Sequence, residues 1–303
     1  MSIKVTIKNG QLLRKPLKLT DLTMGKYAYG SLDGNWRNTG ELVEGYNVLY
    51  DPNRIGRGIE FSWSKNVKDK IELHVNFIST KYDMEMFYKV IRNILHVWKA
   101  KSFEHDGETY HEEDLNELCQ LQRELNLRYM SELKQDGVMI VFGAMFPISV
   151  KYEKLANYGM SHDEEGYADY LHELQSQDAY YAVPIIYQLN EEEFFGSYSV
   201  TATTDIIFPK QAMNPVMTTN PKTGEPLECS FFVVTLVSLE QRQTVGTMSF
   251  DEFIAKAKIM ECPEFDETHV LLKGLSEEEL QALAESEHRD PFGKICQGDK
   301  QNF

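Results

Sequence analysis

Two arginines and two glycines fall within five residues, Arg54-Ile55-Gly56-Arg57-Gly58, and form the segment of this sequence best suited to chemistry. Guanidiniums fork onto carboxylate or phosphate oxygens, and glycines let the backbone come close to an anion. Arg54 and Arg57 are therefore the candidate ligand-binding residues, for an anionic group. The turn has none of the G-x-x-x-x-G-K-S/T length of a nucleotide loop. Its plain alternative is that Arg57 enters a strand and pairs with an acidic residue from elsewhere in the chain.

Two histidine clusters compete with it. His105-Asp106-Gly107-Glu108 precedes His111-Glu112-Glu113-Asp114, placing two imidazoles and several carboxylates within ten residues. No histidine stands four residues after His111, so the helical zinc-protease spacing is missing. A solvated turn entering a helix whose acidic first turn matches its dipole explains the composition. Ser161-His162-Asp163-Glu164-Glu165 is followed by Asp169, His172 and Glu173. A histidine and a carboxylate can act as a general base with its orienting partner, yet no G-x-S-x-G turn supplies a nucleophile. A solvated acidic loop and helix accounts for this cluster too. Cys119, Cys229, Cys262 and Cys296 are scattered without a C-x-x-C pair, which suits free thiols in a reducing compartment. No catalytic residue, metal ligand or cofactor is expected.

The elements that must position these residues show in the hydrophobic pattern. Residues 3–7 alternate as a strand before the turn dipeptide Asn9-Gly10, and residues 59–64 and 71–78 alternate as a hairpin. Thr80 with Asp83 caps a helix whose stripe is Met84, Phe87, Tyr88, Ile91, Ile94, Leu95 and Trp98. A second helix is expected over 112–134, with Leu115, Leu118, Leu121, Leu125, Tyr129 and Leu133 inward. Strands follow at 138–146 and 180–189, with a helix near 167–175 between them. Residues 197–208 and 228–237 are expected to pair around an excursion holding Pro209, Pro215, Pro221 and Pro226. Ser249 with Glu252 and Ser276 with Glu279 have the capping-box spacing, on either side of a strand at 268–272. The layout predicts an α+β protein of mainly antiparallel sheets with helices on one face, in two subdomains. The expected division is a basic-leaning domain over 1–136, an acidic domain over 137–287 and a disordered tail over 288–303.

Charge is distributed unevenly. Residues 1–100 hold 16 Lys and Arg against 10 Asp and Glu; residues 101–200 hold 6 against 20, and residues 201–303 hold 9 against 17. The net charge of −16 argues against nucleic acid as a partner. The acidic part is suited instead to a basic protein partner, whose docking it would speed. No continuous apolar stretch suits a signal peptide or a membrane span. A cytoplasmic location and no membrane partner are expected.

Four short stretches carry a resemblance: Arg57-Gly58-Ile59-Glu60, Asp106-Gly107-Glu108-Thr109-Tyr110, Ile207-Phe208-Pro209 and Ser249-Phe250-Asp251-Glu252-Phe253-Ile254. With the layout, they make the chain resemble a family of similar-length proteins from Gram-positive bacteria, a domain of unknown function (DUF4299-like). The resemblance implies a bacterial cytosolic protein and brings no site residues with it. The expected function is a non-enzymatic interaction or binding module; the alternative is an enzyme or small-ligand binder with an anion site at Arg54 and Arg57.

Overall fold

A computed structural model describes residues 2–190, 193–214, 218–220 and 223–286. The tail expected over 288–303, Cys296, Pro215 and Pro221 lie outside the described residues. Two compact units divide the chain, Met1–Gln177 and Asp178–Phe303.

The first unit runs β1 (Ser2–Lys8), α1 (Leu19–Thr23), β2 (Ala28–Gly30), β3 (Gly45–Tyr50), β4 (Ile59–Trp63), β5 (Lys70–Asn76), α2 (Lys81–Trp98), β6 (Phe103–His105), β7 (Glu108–Tyr110), α3 (Leu115–Ser131), β8 (Val138–Phe142), β9 (Pro147–Lys151), α4 (Tyr152–Ser161) and α5 (Glu164–Gln175). Its main sheet has the order β2-β3-β4-β5-β1-β6-β7, with every pairing antiparallel. Strand alternation sends Ile3, Val5 and Ile7 of β1 to one face, opposite Val75, Leu73 and Ile71 of β5. All six are buried with Met84, Phe87, Ile91, Ile94 and Trp98 of α2, so the predicted helical stripe covers that face. β8 and β9 form a separate hairpin. The division read from the sequence, after residue 136, falls between α3 and this hairpin, within the first unit. Hydrogen bonds run across it: the Ala144 N–H donates to Gly56 O at 3.0 Å, and the Tyr167 hydroxyl donates to Ile78 O at 2.7 Å.

α3 meets the expected face at Leu115 and Leu118 and departs from it at Leu121 and Leu125. Leu121 and Leu125 are 45% and 39% exposed, whereas Leu115, Leu118, Gln122, Asn126 and Met130 are buried. The inner face includes polar residues because the backbone beside it needs partners. Asn126 Oδ1 accepts from the Ile78 N–H at 2.6 Å, and its Nδ2 donates to Ser79 O at 3.0 Å. Ile78 itself sits at a φ of 61°, outside the helix and strand ladders.

The second unit runs β10 (Tyr180–Tyr181), β11 (Ile185–Gln188), β12 (Phe194–Thr201), β13 (Ile206–Pro209), β14 (Phe231–Ser238), β15 (Gln243–Ser249), α6 (Phe250–Lys256), β16 (His269–Leu272) and α7 (Glu277–Glu285). It holds a four-stranded sheet, β11-β12-β14-β15, and a three-stranded sheet, β10-β13-β16. The expected strand over 197–208 is two strands in two sheets, broken where Thr203 turns at a φ of 58°. β12 does pair with β14, but in parallel, as Ser197 opposite Val233 shows. Tyr198, Val200, Val234, Leu236 and Met248 then form a core with Phe208, Phe250, Phe253 and Leu280. Ser249 and Ser276 cap α6 and α7 as their spacing predicted. The chain is α+β, with mainly antiparallel sheets.

Candidate functional site

The Arg-Ile-Gly-Arg-Gly turn lies between β3 and β4, against the start of α2. Thr80 and Asp83 close that helix reciprocally: Thr80 Oγ1 accepts from the Asp83 N–H, and Asp83 Oδ2 accepts from the Thr80 N–H at 3.0 Å and its hydroxyl at 2.8 Å. The same carboxylate, only 2% exposed as a residue, also accepts the Arg57 N–H at 3.0 Å and the Gly58 N–H at 2.8 Å. The two glycines do bring backbone close to an anion, and that anion is Asp83. A Cβ on Gly56 would stand 2.3 Å from Asp83 Oδ2, and Gly58 has a φ of 70°. Burial pushes the Asp83 carboxyl above its ordinary value, opposed by the hydrogen bonds from Thr80, Arg57 and Gly58.

Arg54 meets the second histidine cluster. Its Nη1 lies 2.5 Å from Asp169 Oδ1, its Nη2 lies 3.6 Å from Glu165, and its guanidinium is 5.1 Å from the Tyr82 ring centroid. Glu165 also pairs with Lys81 and accepts from the Tyr82 hydroxyl, which together hold it below its ordinary carboxyl value. His172 Nδ1 accepts from the Ile55 N–H at 3.1 Å, so its remaining ring proton belongs on Nε2. Asp169 and His172 thus anchor the turn by pairing with different groups on it.

Arg57 is placed differently. Its Nε donates to Phe142 O at 3.0 Å and its Nη1 donates to Phe77 O. Among the described residues, no carboxylate lies within ion-pair distance of its guanidinium and no group partners its Nη2. Burial pushes this guanidinium below its ordinary value, while Tyr167, Asp83 and Glu60 pull it back up. Arg57 lines a cavity of about 140 Å³ together with Trp36, Glu60, Asn76 and Phe142. Trp36 and Phe142 pack with ring centroids 4.4 Å apart, and Asn76 Nδ2 donates to Glu60 Oε1 at 3.1 Å. Nothing local marks Trp36, Glu60, Asn76 or Phe142 as neighbours; only the sheet order and the β8–β9 hairpin bring them together.

The first histidine cluster does not converge. His105 is buried on β6, where burial holds its imidazole below its ordinary value, whereas His111 is exposed with its Nδ1 2.9 Å from Lys101 O. Glu112 faces His96 and Arg92 on α2. Among the described residues, no three His, Cys, Asp or Glu side chains are grouped to hold a metal ion.

Across the first unit, basic residues of the N-terminal third pair with acids of the middle third. Lys8 meets Glu104, Arg54 meets Asp169 and Glu165, Lys81 meets Glu165, and Arg92 meets Glu112. Residues 1–177 carry 22 Lys and Arg against 26 Asp and Glu, a net −4; residues 178–303 carry 9 against 21, a net −12. The acidity of the chain therefore belongs chiefly to its second unit.

Residues 2–283 match the model of a family described as a domain of unknown function (DUF4299), and the chain belongs to that family. No curated protein and no solved structure matches it. Among the described residues, no helix is long and apolar enough to cross a membrane.

Proposed function

We propose that this is a bacterial, cytoplasmic, non-enzymatic binding protein, and that its site is the Arg57 cavity. The observation that carries this reading is the unpartnered Nη2 of a half-buried guanidinium in the lining of a closed-in space. A half-buried arginine gains from a carboxylate or phosphate that completes its donor set. Glu60 in the same lining favours a ligand that also carries a hydrogen-bond donor, such as an ammonium or amide group. A cavity of about 140 Å³ is near the size that holds one benzene ring, so it suits a small zwitterion or one end of a longer molecule. The charged and polar lining is one guanidinium, one carboxylate and one carboxamide, a set for holding a group in place. Arg54, spent on Asp169 and Glu165, contributes by fixing the turn.

Thermal-shift measurements against small amino acids, carboxylates and phosphate test the reading. A ligand at 100 times its Kd should raise Tm by about 3 °C or more. Arg57→Lys and Glu60→Gln should each abolish the shift while remaining folded. If no such ligand stabilises the wild type, or if both variants respond equally, the cavity is not the site.

A second reading rests on the net −12 of the second unit, which suits a basic protein partner. Such binding should weaken with salt and with neutralisation of the exposed Glu240, Asp251 and Glu278. A partner retained equally at low and high salt would count against it.

A further inference from the structure

Three loops meet where β1 and α2 end and where β5 and β6 begin: residues 9–18, 64–69 and 99–102. The first loop is tied down on both sides. The Asn9 N–H donates to Asp69 O, Asn9 Nδ2 donates to Lys15 O and Lys68 O, and Gln11 Nε2 donates to Val97 O. The Leu17 N–H then donates to Val67 O at 2.7 Å. Between these anchors stand Leu12 and Leu13, which are 99% and 82% exposed. A loop held this firmly keeps two adjacent leucines in water, where isolated exposed apolar residues would call for no explanation.

Their surroundings are cationic. Lys15, Lys18, Lys65, Lys68, Lys99 and Lys101 are exposed on the three loops and their margins. Among the described residues none of these six lysines forms an ion pair. The acids on the adjoining strands and turn are already paired: Asp69 with Arg14, Glu72 with Lys4 and Lys70, and Glu104 with Lys8. Glu113 and Asp114 border the patch beyond Lys101, through the His111 contact to Lys101 O.

We infer that this end of the first unit docks on an anionic lipid surface, Leu12 and Leu13 entering the headgroup boundary and the lysines lying over the anionic headgroups. Apolar side chains inside a basic field are what interfacial binding requires, and no spanning helix is involved. A nucleic acid would satisfy the lysines but leave the leucines in water, because they offer no face for a base to stack on. The inference replaces the expectation of no membrane partner and is independent of the Arg57 cavity.

Flotation of the full-length chain with phosphatidylcholine vesicles, with and without phosphatidylserine, tests it. Wild type should float with the phosphatidylserine vesicles, less at raised salt, and only weakly with phosphatidylcholine alone. Leu12→Ser/Leu13→Ser should weaken binding by about tenfold or more, and Lys15→Glu/Lys68→Glu by a similar factor. These residues are exposed, and matching unfolding curves would confirm that the variants fold. The inference is overturned if the wild type floats with neither vesicle, or if the serine variant floats as well as the wild type. Binding to a single-stranded oligonucleotide that equals vesicle binding and ignores the leucine substitutions would overturn it in favour of nucleic acid.

Discussion

Replacing Asp83 by alanine should destabilise the first unit more than any other single change at the Arg57 turn. The carboxylate satisfies the backbone N–H groups of Thr80, Arg57 and Gly58 and one hydroxyl. Each buried donor left without a partner costs about 1–3 kcal/mol. Removing the anion returns part of this by ending its desolvation. The net loss works out at about 3 kcal/mol. Asp83→Asn keeps the shape and one acceptor oxygen, so it should cost about 1–2 kcal/mol. Gly56→Ala probes the same contact from the other side, since its methyl would meet Asp83 Oδ2 at 2.3 Å. In the Asp83→Ala background that clash disappears while the contacts to Thr80 at 2.8 and 2.9 Å remain, so the two costs should add only in part. The assay is urea unfolding followed by tryptophan fluorescence. Trp36, Trp63 and Trp98 are the three tryptophans of the chain and all lie in the first unit, so the signal reports that unit alone. An Asp83→Ala cost below about 1 kcal/mol, or strict additivity with Gly56→Ala, would refute the assignment of Asp83 as the anion that organises the turn.

Two further outcomes can be read with the same fluorescence signal. Lys70 and Lys4 hold the Glu72 carboxyl down at about 2, from an ordinary 4.5. A depressed carboxyl stabilises the fold above its unfolded value and loses that contribution as pH falls through its folded value. Glu72→Gln should therefore cost about 1 kcal/mol near neutrality, after discounting for exposed lysine partners, and the difference should vanish between about pH 4.5 and pH 2; a difference independent of pH would count against the pairing. On α3, Asn126→Ala should cost about 2 kcal/mol by orphaning the Ile78 N–H, whereas Leu121→Gln and Leu125→Gln should stay within about 0.5 kcal/mol. Equal costs at the three positions would mean that the leucines, not Asn126, face the core.

Periodicity made α2 legible because its stripe and its cap are both local patterns and both face one sheet. On α3 it placed Leu115 and Leu118 but misplaced Leu121 and Leu125, because part of the inner face is chosen by the needs of a neighbouring backbone turn, which a leucine count does not register. The glycines of Arg-Ile-Gly-Arg-Gly marked a backbone able to approach a negative group. That this group is Asp83 leaves no local mark, since Asp83 lies 25 residues from Gly58 and its spacing from Thr80 already gives it a complete role as a helix cap. The joining of residues 138–177 to the first unit rests on long-range backbone contacts, such as Ala144 to Gly56, that leave no compositional mark.

Charge counted along the sequence suggested that a basic third and an acidic third either cancel or wait for partners, and folding does some of each. Where Arg54, Lys81 and Arg92 meet Glu165, Asp169 and Glu112, the two signs are spent on each other in exposed pairs that add little to stability. What remains falls on different units: unpaired lysines around Leu12 and Leu13 on the first, and excess carboxylates on the second. Ionic strength distinguishes these surfaces from the cavity. Exposed lysines act across water, where the Debye length is about 8 Å at physiological salt, so binding through them must fade as salt rises. The Arg57 guanidinium acts on a group inside a partly enclosed cavity, where screening is weaker, so a small anion held there should bind with less salt dependence. A ligand whose affinity for the full chain survives high salt therefore belongs to Arg57, and one whose affinity collapses belongs to the lysine-bearing end or the acidic unit.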